Sequence, residues 1–320
     1  EAQRRHRTLQ LALDLLSERA ALGQAVSRSV GWTQGQALRT AAFARLGEND
    51  EAARLLPVTI EALSALSPAM TAAILPDLFE TAIAAENWEV AEALAVRFPD
   101  HAELRDAAAY RFLLARASEI SGDLLMAYDG YAHAAGGRDA YAHRARLAIV
   151  QMGRRTDTLP LEDAVALLKT ARWAWSGDVF AKEGVALLAD YTLELGDYQT
   201  ALWALGQLLT EAESPKKAEA VRERAREAIE SYYQAGAAGD LNLAEFISGH
   251  AAIMAGWRYD SGFVESAVAL PQTLLSSGMT ALAAREFRNL RTIAEAAEEL
   301  ELFTPDPELI TRLSRDAAGS

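Results

Sequence analysis

The chain has no cysteine among its 320 residues. That excludes disulfide frameworks, thiol nucleophiles and thiolate metal sites. It also leans toward an oxidising compartment, where an unpaired thiol is a hazard. Proline is scarce at 9 residues and glycine amounts to 20, too few for a linker-rich or disordered chain. No apolar run reaches the roughly 18–20 residues of a membrane span, and no signal peptide is visible. Valine and isoleucine are scattered and never alternate, so no strand pattern appears. Positive charge is in deficit: 31 Lys and Arg stand against 45 Asp and Glu, a net charge of −14. Such a field repels nucleic acid and anionic lipid on average. A basic protein or peptide is the complementary partner. The chain opens at Glu1 and closes on Asp-Ala-Ala-Gly-Ser, so it reads as an excised piece of something longer.

Catalytic signatures are missing as well. There is no Gly-x-Ser-x-Gly elbow, phosphate loop or Gly-x-Gly-x-x-Gly turn. The five histidines are His6, His101, His133, His143 and His250. None has His-Glu-x-x-His spacing. His133 and His143 flank Gly136-Gly137 and could face each other across a hairpin, but solvated or packed rings are the ordinary reading. The expectation is no metal, no cofactor and no catalytic residue. Runs such as Glu298-Glu299-Leu300-Glu301 read as wet helix faces. Lys216 to Glu230 interleaves Lys216, Lys217, Arg222, Arg224 and Arg226 with Glu219, Glu223, Glu227 and Glu230. That pattern predicts same-face ion pairs and argues against a nucleic-acid surface.

What is present is alanine-rich and periodic. Hydrophobic residues make up 51 % of the chain, and alanine is the best helix former. One short pattern recurs five times: a turn residue, a small residue five later, and usually a bulky one four after that. The instances are Gly47/Ala52/Leu56, Glu86/Ala91/Ala95, Gly122/Ala127/Tyr131, Gly196/Ala201/Leu205 and Gly278/Ala283/Phe287. Self-similarity at a few tens of residues marks a helical repeat array. The spacing predicts helices over 33–46 and 49–65, 70–85 and 88–98, 103–121 and 124–135, and 139–153. Further helices follow at 164–175, 179–195 and 198–212, 216–234, 241–256, 263–277 and 280–300, and 307–315. Ala235 to Asp240 is expected to be a loop, and Trp257-Arg258-Tyr259-Asp260-Ser261-Gly262 a break. The fold class predicted is all-α, a right-handed α-solenoid of about seven degenerate hairpins. Residues 1–30 form an amphipathic N-terminal helix or cap, 31–302 the array, and 303–320 a short helix and frayed tail.

At Gly196-Asp197-Tyr198-Gln199-Thr200-Ala201-Leu202 the sequence resembles the tetratricopeptide motif, in which Gly marks the tight turn and Ala the close helix crossing. The other four units match more loosely. Leu159 to Pro215, with Trp173-Ala174-Trp175-Ser176-Gly177-Asp178, is similar to a family of long, Ala-rich repeat proteins of alphaproteobacteria, a similarity that extends over roughly the whole helical chain. The resemblance implies a helical repeat fold and a bacterial origin, and carries no assigned reaction.

If the first helix of each pair lines a concave face, that face presents Gln34, Arg45, Glu80, Arg116, Glu119, Asp190, Glu194, Glu265 and Gln272. The mixture is mostly acidic, and no clamp for a terminal carboxylate is evident. Trp257, Arg258 and Tyr259 in the expected break are residue types favoured at binding hot spots. Candidate partner-binding residues are therefore Trp257, Arg258, Tyr259, Arg45, Arg116, Glu119, Asp190 and Glu194. The function expected is a non-catalytic scaffold or adaptor in a bacterial multiprotein complex, placed by the missing cysteines and acidic charge in the periplasm or envelope. The alternative is the helical arm of a peptidoglycan-acting enzyme whose catalytic part lies elsewhere.

Overall fold

The repeated turn residues are where the chain reverses. The structure is a computed structural model and describes residues 10–12, 30–177 and 179–319. Gly47, Glu86, Gly122, Gly196 and Gly278 all occupy the left-handed region, with φ of 81°, 52°, 90°, 79° and 78°. The next amide bonds back five residues in each case: Glu48 to Phe43, Asn87 to Ala82, Asp123 to Ser118, Asp197 to Thr192 and Met279 to Leu274, at 2.9–3.0 Å. This is the Schellman ending, which satisfies carbonyls orphaned at a helix C-terminus. In three turns the following side chain also caps the next helix: Asn87 accepts from Val90, Asp123 from Met126 and Asp197 from Thr200. Two residues thus stop one helix and start its antiparallel neighbour.

Five residues after the turn stands an alanine that is buried in every copy: Ala52, Ala91, Ala127, Ala201 and Ala283. A methyl group is the largest side chain that close helix crossing accepts without overpacking. Four residues on, Leu56, Tyr131, Leu205 and Phe287 are buried and supply bulk, while Ala95 is half-buried. Three more turns share the geometry. Asp157, Gly239 and Glu301 have φ of 55°, 86° and 55°, and Thr158, Asp240 and Leu302 bond back to Gly153, Ala235 and Ala297. Two of these three lack glycine, which hid them from the sequence pattern.

The described residues form seventeen α-helices and no strand. They divide into two compact units. The first comprises 1–158 and 173–181, the second 159–172 and 182–320. In the first, α1 (Val30–Leu46) packs on α2 (Asn49–Ala62), and α3 (Pro68–Ala84) on α4 (Trp88–Ala95). After the single turn α5 (Ala102–Arg105), α6 (Ala108–Ile120) packs on α7 (Leu124–Ala135), and α8 (Ala140–Arg155) covers both. Leu75, Leu78, Phe79, Phe98, Phe112, Leu113 and Tyr131 fill one continuous core. The helices that follow are α9 (Leu161–Ala174), α10 (Val179–Leu195), α11 (Tyr198–Thr210), α12 (Pro215–Ala238), α13 (Leu243–Trp257), α14 (Phe263–Ala267), α15 (Ala269–Ser276), α16 (Thr280–Glu299) and α17 (Pro307–Gly319). The second unit buries Leu205, Ile229, Tyr233, Phe246, Phe263, Leu274, Phe287 and Leu313 in its own core. Within each unit the main helix contacts join elements no more than three helices apart in the chain, the local pattern of tandem hairpins.

Several expected boundaries move, each for a local reason. The loop expected at Ala235–Asp240 is helical to Ala238, because alanine holds the helix until Gly239 turns left-handed. The helix expected at 263–277 breaks at Val268. Pro271 has no amide to bond the carbonyl of Ala267, and its ring crowds that carbonyl. The helix expected at 103–121 is interrupted at Asp106-Ala107. The C-terminal helix runs on to Gly319, so residues expected to fray are helical. Of the expected N-terminal helix, Gln10–Ala12 is helical and Leu11 is 64 % exposed. Val30 opens α1 instead, and residues 1–9 and 13–29 lie outside the described residues, as do Asp178 and Ser320.

Candidate functional site

In chain order the helices alternate between leading members (α1, α3, α6, α8, α10, α12) and trailing members (α2, α4, α7, α9, α11, α13). Sequence reasoning placed the binding face on the leading helices. There the charged side chains are spent on neighbouring helices. Arg45 of α1 donates to Asp77 of α3 at 2.8 Å and to the Ala73 carbonyl at 2.7 Å. Burial outweighs that guanidinium and raises the Asp77 carboxyl to about 6. Arg144 of α8 grips Glu80 of α3. Its guanidinium also lies over the rings of Phe180 and Phe112, at 4.2 and 4.6 Å. Glu119 of α6 takes the Tyr131 hydroxyl at 2.5 Å and pairs with Arg155 of α8. Arg116 is half-buried beside this pair and acts electrostatically on Tyr131. In the second unit, Asp190 of α10 pairs with Arg224 of α12, and Glu194 is exposed one turn further along α10. Arg45, Glu119 and Asp190 therefore strut helix to helix.

The expected break at 257–262 is also different. Trp257 is the last residue of α13 and only 8 % exposed. It belongs to the core of the second unit, so its indole is not the exposed loop anchor that sequence reasoning expected. The C-cap falls one residue later, at Arg258. Tyr259 is 40 % exposed, with the Arg258 guanidinium 5.1 Å from its ring centroid. Asp260 anchors the turn by accepting Arg226 Nε at 3.1 Å and the Gly262 amide at 3.2 Å. Within the charged helix α12, Arg222 pairs with Glu219 and Arg226 with Glu219 and Glu223, as expected, while Lys217 reaches Glu213 ahead of the helix.

The second unit does contain a built groove, and trailing helices frame it. It encloses about 690 Å³ among α9, α11 and α13. On α11, Gln199, Trp203, Gly206 and Thr210 recur at helical spacing and face it together. Across them stand Lys169 and Arg172 of α9, one turn apart, and Ala252, Gly256 and Trp257 of α13. Trp203 is 42 % exposed, and Arg172 lies over its ring at 4.3 Å. A guanidinium on an indole face is a cation–π contact that fixes both planes. Lys169 Nζ reaches Asp197 at 2.9 Å, and Asp197 also takes the Thr200 hydroxyl at 2.7 Å. Burial alone would raise the Asp197 carboxyl; Thr200 and Lys169 together hold it below the usual range. The turn aspartate that caps α11 thus also orients a groove lysine. A smaller hollow near the start of α17, about 500 Å³, mixes Glu265, Asp306 and Glu308 with Arg312 and Arg315.

Among the described residues, no group of three or more His, Asp or Glu is placed to hold a metal ion. His133 is exposed and bonds the Asp129 carbonyl of its own helix at 2.8 Å. His143 is buried, with Nε2 3.2 Å from the Phe180 carbonyl. His250 is buried between Tyr233, whose hydroxyl is 2.7 Å from Nδ1, and Glu286, whose carboxylate is 3.8 Å from Nε2. No described helix is long and apolar enough to cross a membrane.

These helices and turns define an all-α protein of tandem helical hairpins. No family model matches the chain, and no curated protein matches it. Among solved structures it is similar to a circular tandem repeat protein with novel repeat topology and enhanced subunit contact surfaces. The two are 14 % identical over 98 % of this chain and 88 % of that one, with a TM-score of 0.35. A likeness at that level carries no argument.

Proposed function

We propose that the chain is a non-catalytic protein-interaction scaffold or adaptor of tetratricopeptide-like type, in a bacterial multiprotein complex, and that a partner docks in the groove of α9, α11 and α13. The groove itself carries this reading: an indole 42 % exposed, a guanidinium fixed on it, and glycines on the opposing helices. Trp and Arg are the side chains that dominate binding energy at interfaces. Helix α11 packs on α13 and Arg172 lies on the indole, so little ordering entropy is lost on docking. The Gly196–Leu202 motif supports the tetratricopeptide likeness, since Gly196 is the left-handed turn and Ala201 the buried crossing.

Panning a displayed octapeptide library on the immobilised chain tests the reading. Enriched peptides should bind the parent and lose at least tenfold in affinity on Trp203→Ala. Enrichment indifferent to Trp203 would contradict docking in this groove. Trp203 is the right position because it is half-exposed, whereas truncating the core residue Trp257 would damage the fold.

A further inference from the structure

The charged side chains that line the groove are basic, although the chain is acidic. The whole chain has a net charge of −14, yet among the described residues the only charged side chains lining the groove are Lys169 and Arg172, the first of them paired with Asp197. Asp197 stands behind Lys169 and positions it from the α11 turn. Beside the two cations the lining includes the Trp203 ring and two small residues, Gly206 of α11 and Gly256 of α13.

Those small residues are glycines inside helices, where alanine would be more stable. At three other helical glycines packing demands the absence of a side chain. A β-carbon at Gly236 would overlap the Phe246 ring, and one at Gly249 the Tyr232 hydroxyl. At Gly130 it would come 2.8 Å from the Ala115 β-carbon. Gly256 meets nothing within 4 Å, and Gly206 meets only the edge of Trp257 at 3.8 Å. No packing requirement accounts for these two. What they share is the groove, whose floor they keep open.

On the reading that this groove docks a partner, we infer that the occupant is an acidic peptide segment carrying a large apolar or aromatic side chain. Its carboxylates lie against Lys169 and Arg172, and its apolar side chain enters between Trp203 and the Gly206–Gly256 floor. The basic partner expected from net charge is thereby reversed at this site, because local charge at contact distance outweighs a screened distant field. Nucleic acid would find the same ring, but its phosphate backbone calls for a run of cations, and the groove offers two, of which Lys169 is already paired with Asp197.

Fluorescence anisotropy of the whole chain with labelled octapeptide pools tests the assignment. One pool fixes two Asp and one Phe, a second two Lys and one Phe, and a third two Asp and one Ser. The first should bind at least tenfold more tightly than the others and weaken as salt rises. Arg172→Glu should abolish that preference, and Gly256→Leu, which fills the floor where there is space for it, should abolish binding. Circular dichroism and thermal melts matching the parent confirm that both variants fold. If the lysine pool binds better and Gly256→Leu removes it, the sign assigned to the occupant is wrong while docking in the groove stands. If a labelled thymidine dodecamer displaces the acidic pool, the peptide assignment fails. If no pool binds, or binding ignores Gly256→Leu, both the occupant and the docking site are lost.

Discussion

Glu86 works against its own backbone. It sits at φ 52° in a turn where four sister positions carry glycine. A β-carbon in the left-handed region costs about 1–2 kcal/mol, and glycine returns part of that to chain entropy. Glu86→Gly should therefore raise unfolding free energy by about 0.5–1 kcal/mol in urea titration. Gly196→Ala should lower it by about 1 kcal/mol; equal effects of the two changes would refute the turn account. His250 makes a second test. Its ring is 4 % exposed between Tyr233 and Glu286, and Arg285 and Asn289 hold that glutamate from α16. Burial lowers its pKa below the ordinary value, the Glu286 carboxylate only partly opposing. The unfolded chain then binds the proton more readily, so stability is complete above about pH 6.5 and is lost as pH falls through that value toward the folded pKa. His250→Gln should flatten the melting temperature between pH 7 and 5 relative to the parent, and a parallel decline in both proteins would exclude this residue.

Within the helices, glycine positions separate packing from vacancy. Gly206→Ala and Gly256→Ala should each stabilise by about 0.5–1 kcal/mol, the ordinary helix propensity difference. Gly236→Ala and Gly249→Ala should each destabilise by about 1–3 kcal/mol, because the added methyl must displace Phe246 or Tyr232. Thermal melts of the four variants sort them, and a loss at Gly256 would mean that the groove floor is packed. Most of this layer is legible in the chain. The turn–alanine–bulk spacing places five reversals and their buried crossings by number. What it misses depends on geometry without a side-chain signature, as at Asp157 and Glu301, which take glycine's role without being glycine. The break at Val268 was in principle readable from Pro271, four residues after the carbonyl it frees. Trp257 was misplaced because Arg-Tyr-Asp-Ser-Gly follows it, and one residue decides whether the indole leaves the helix or joins the core.

Over the whole molecule, composition gives the helical class and the acidic field, but not the face that binds. The charges of the leading helices are conspicuous in sequence. Those charges turn out to pair with residues 32 to 64 positions away, such as Arg45 with Asp77 and Glu80 with Arg144. No local pattern announces such partners. The groove was harder still. Gln199, Trp203, Gly206 and Thr210 share a visible helical spacing, but Lys169, Arg172 and Gly256 join them only through the register of three helices. The central claim is that this register makes a docking site. Hydrogen–deuterium exchange of the whole chain with and without an octapeptide of the acidic–aromatic type tests it most directly. The account predicts added protection confined to segments 166–174, 199–210 and 252–258. Protection centred instead on α1, α3 and α6, or none at a saturating peptide concentration, would contradict it.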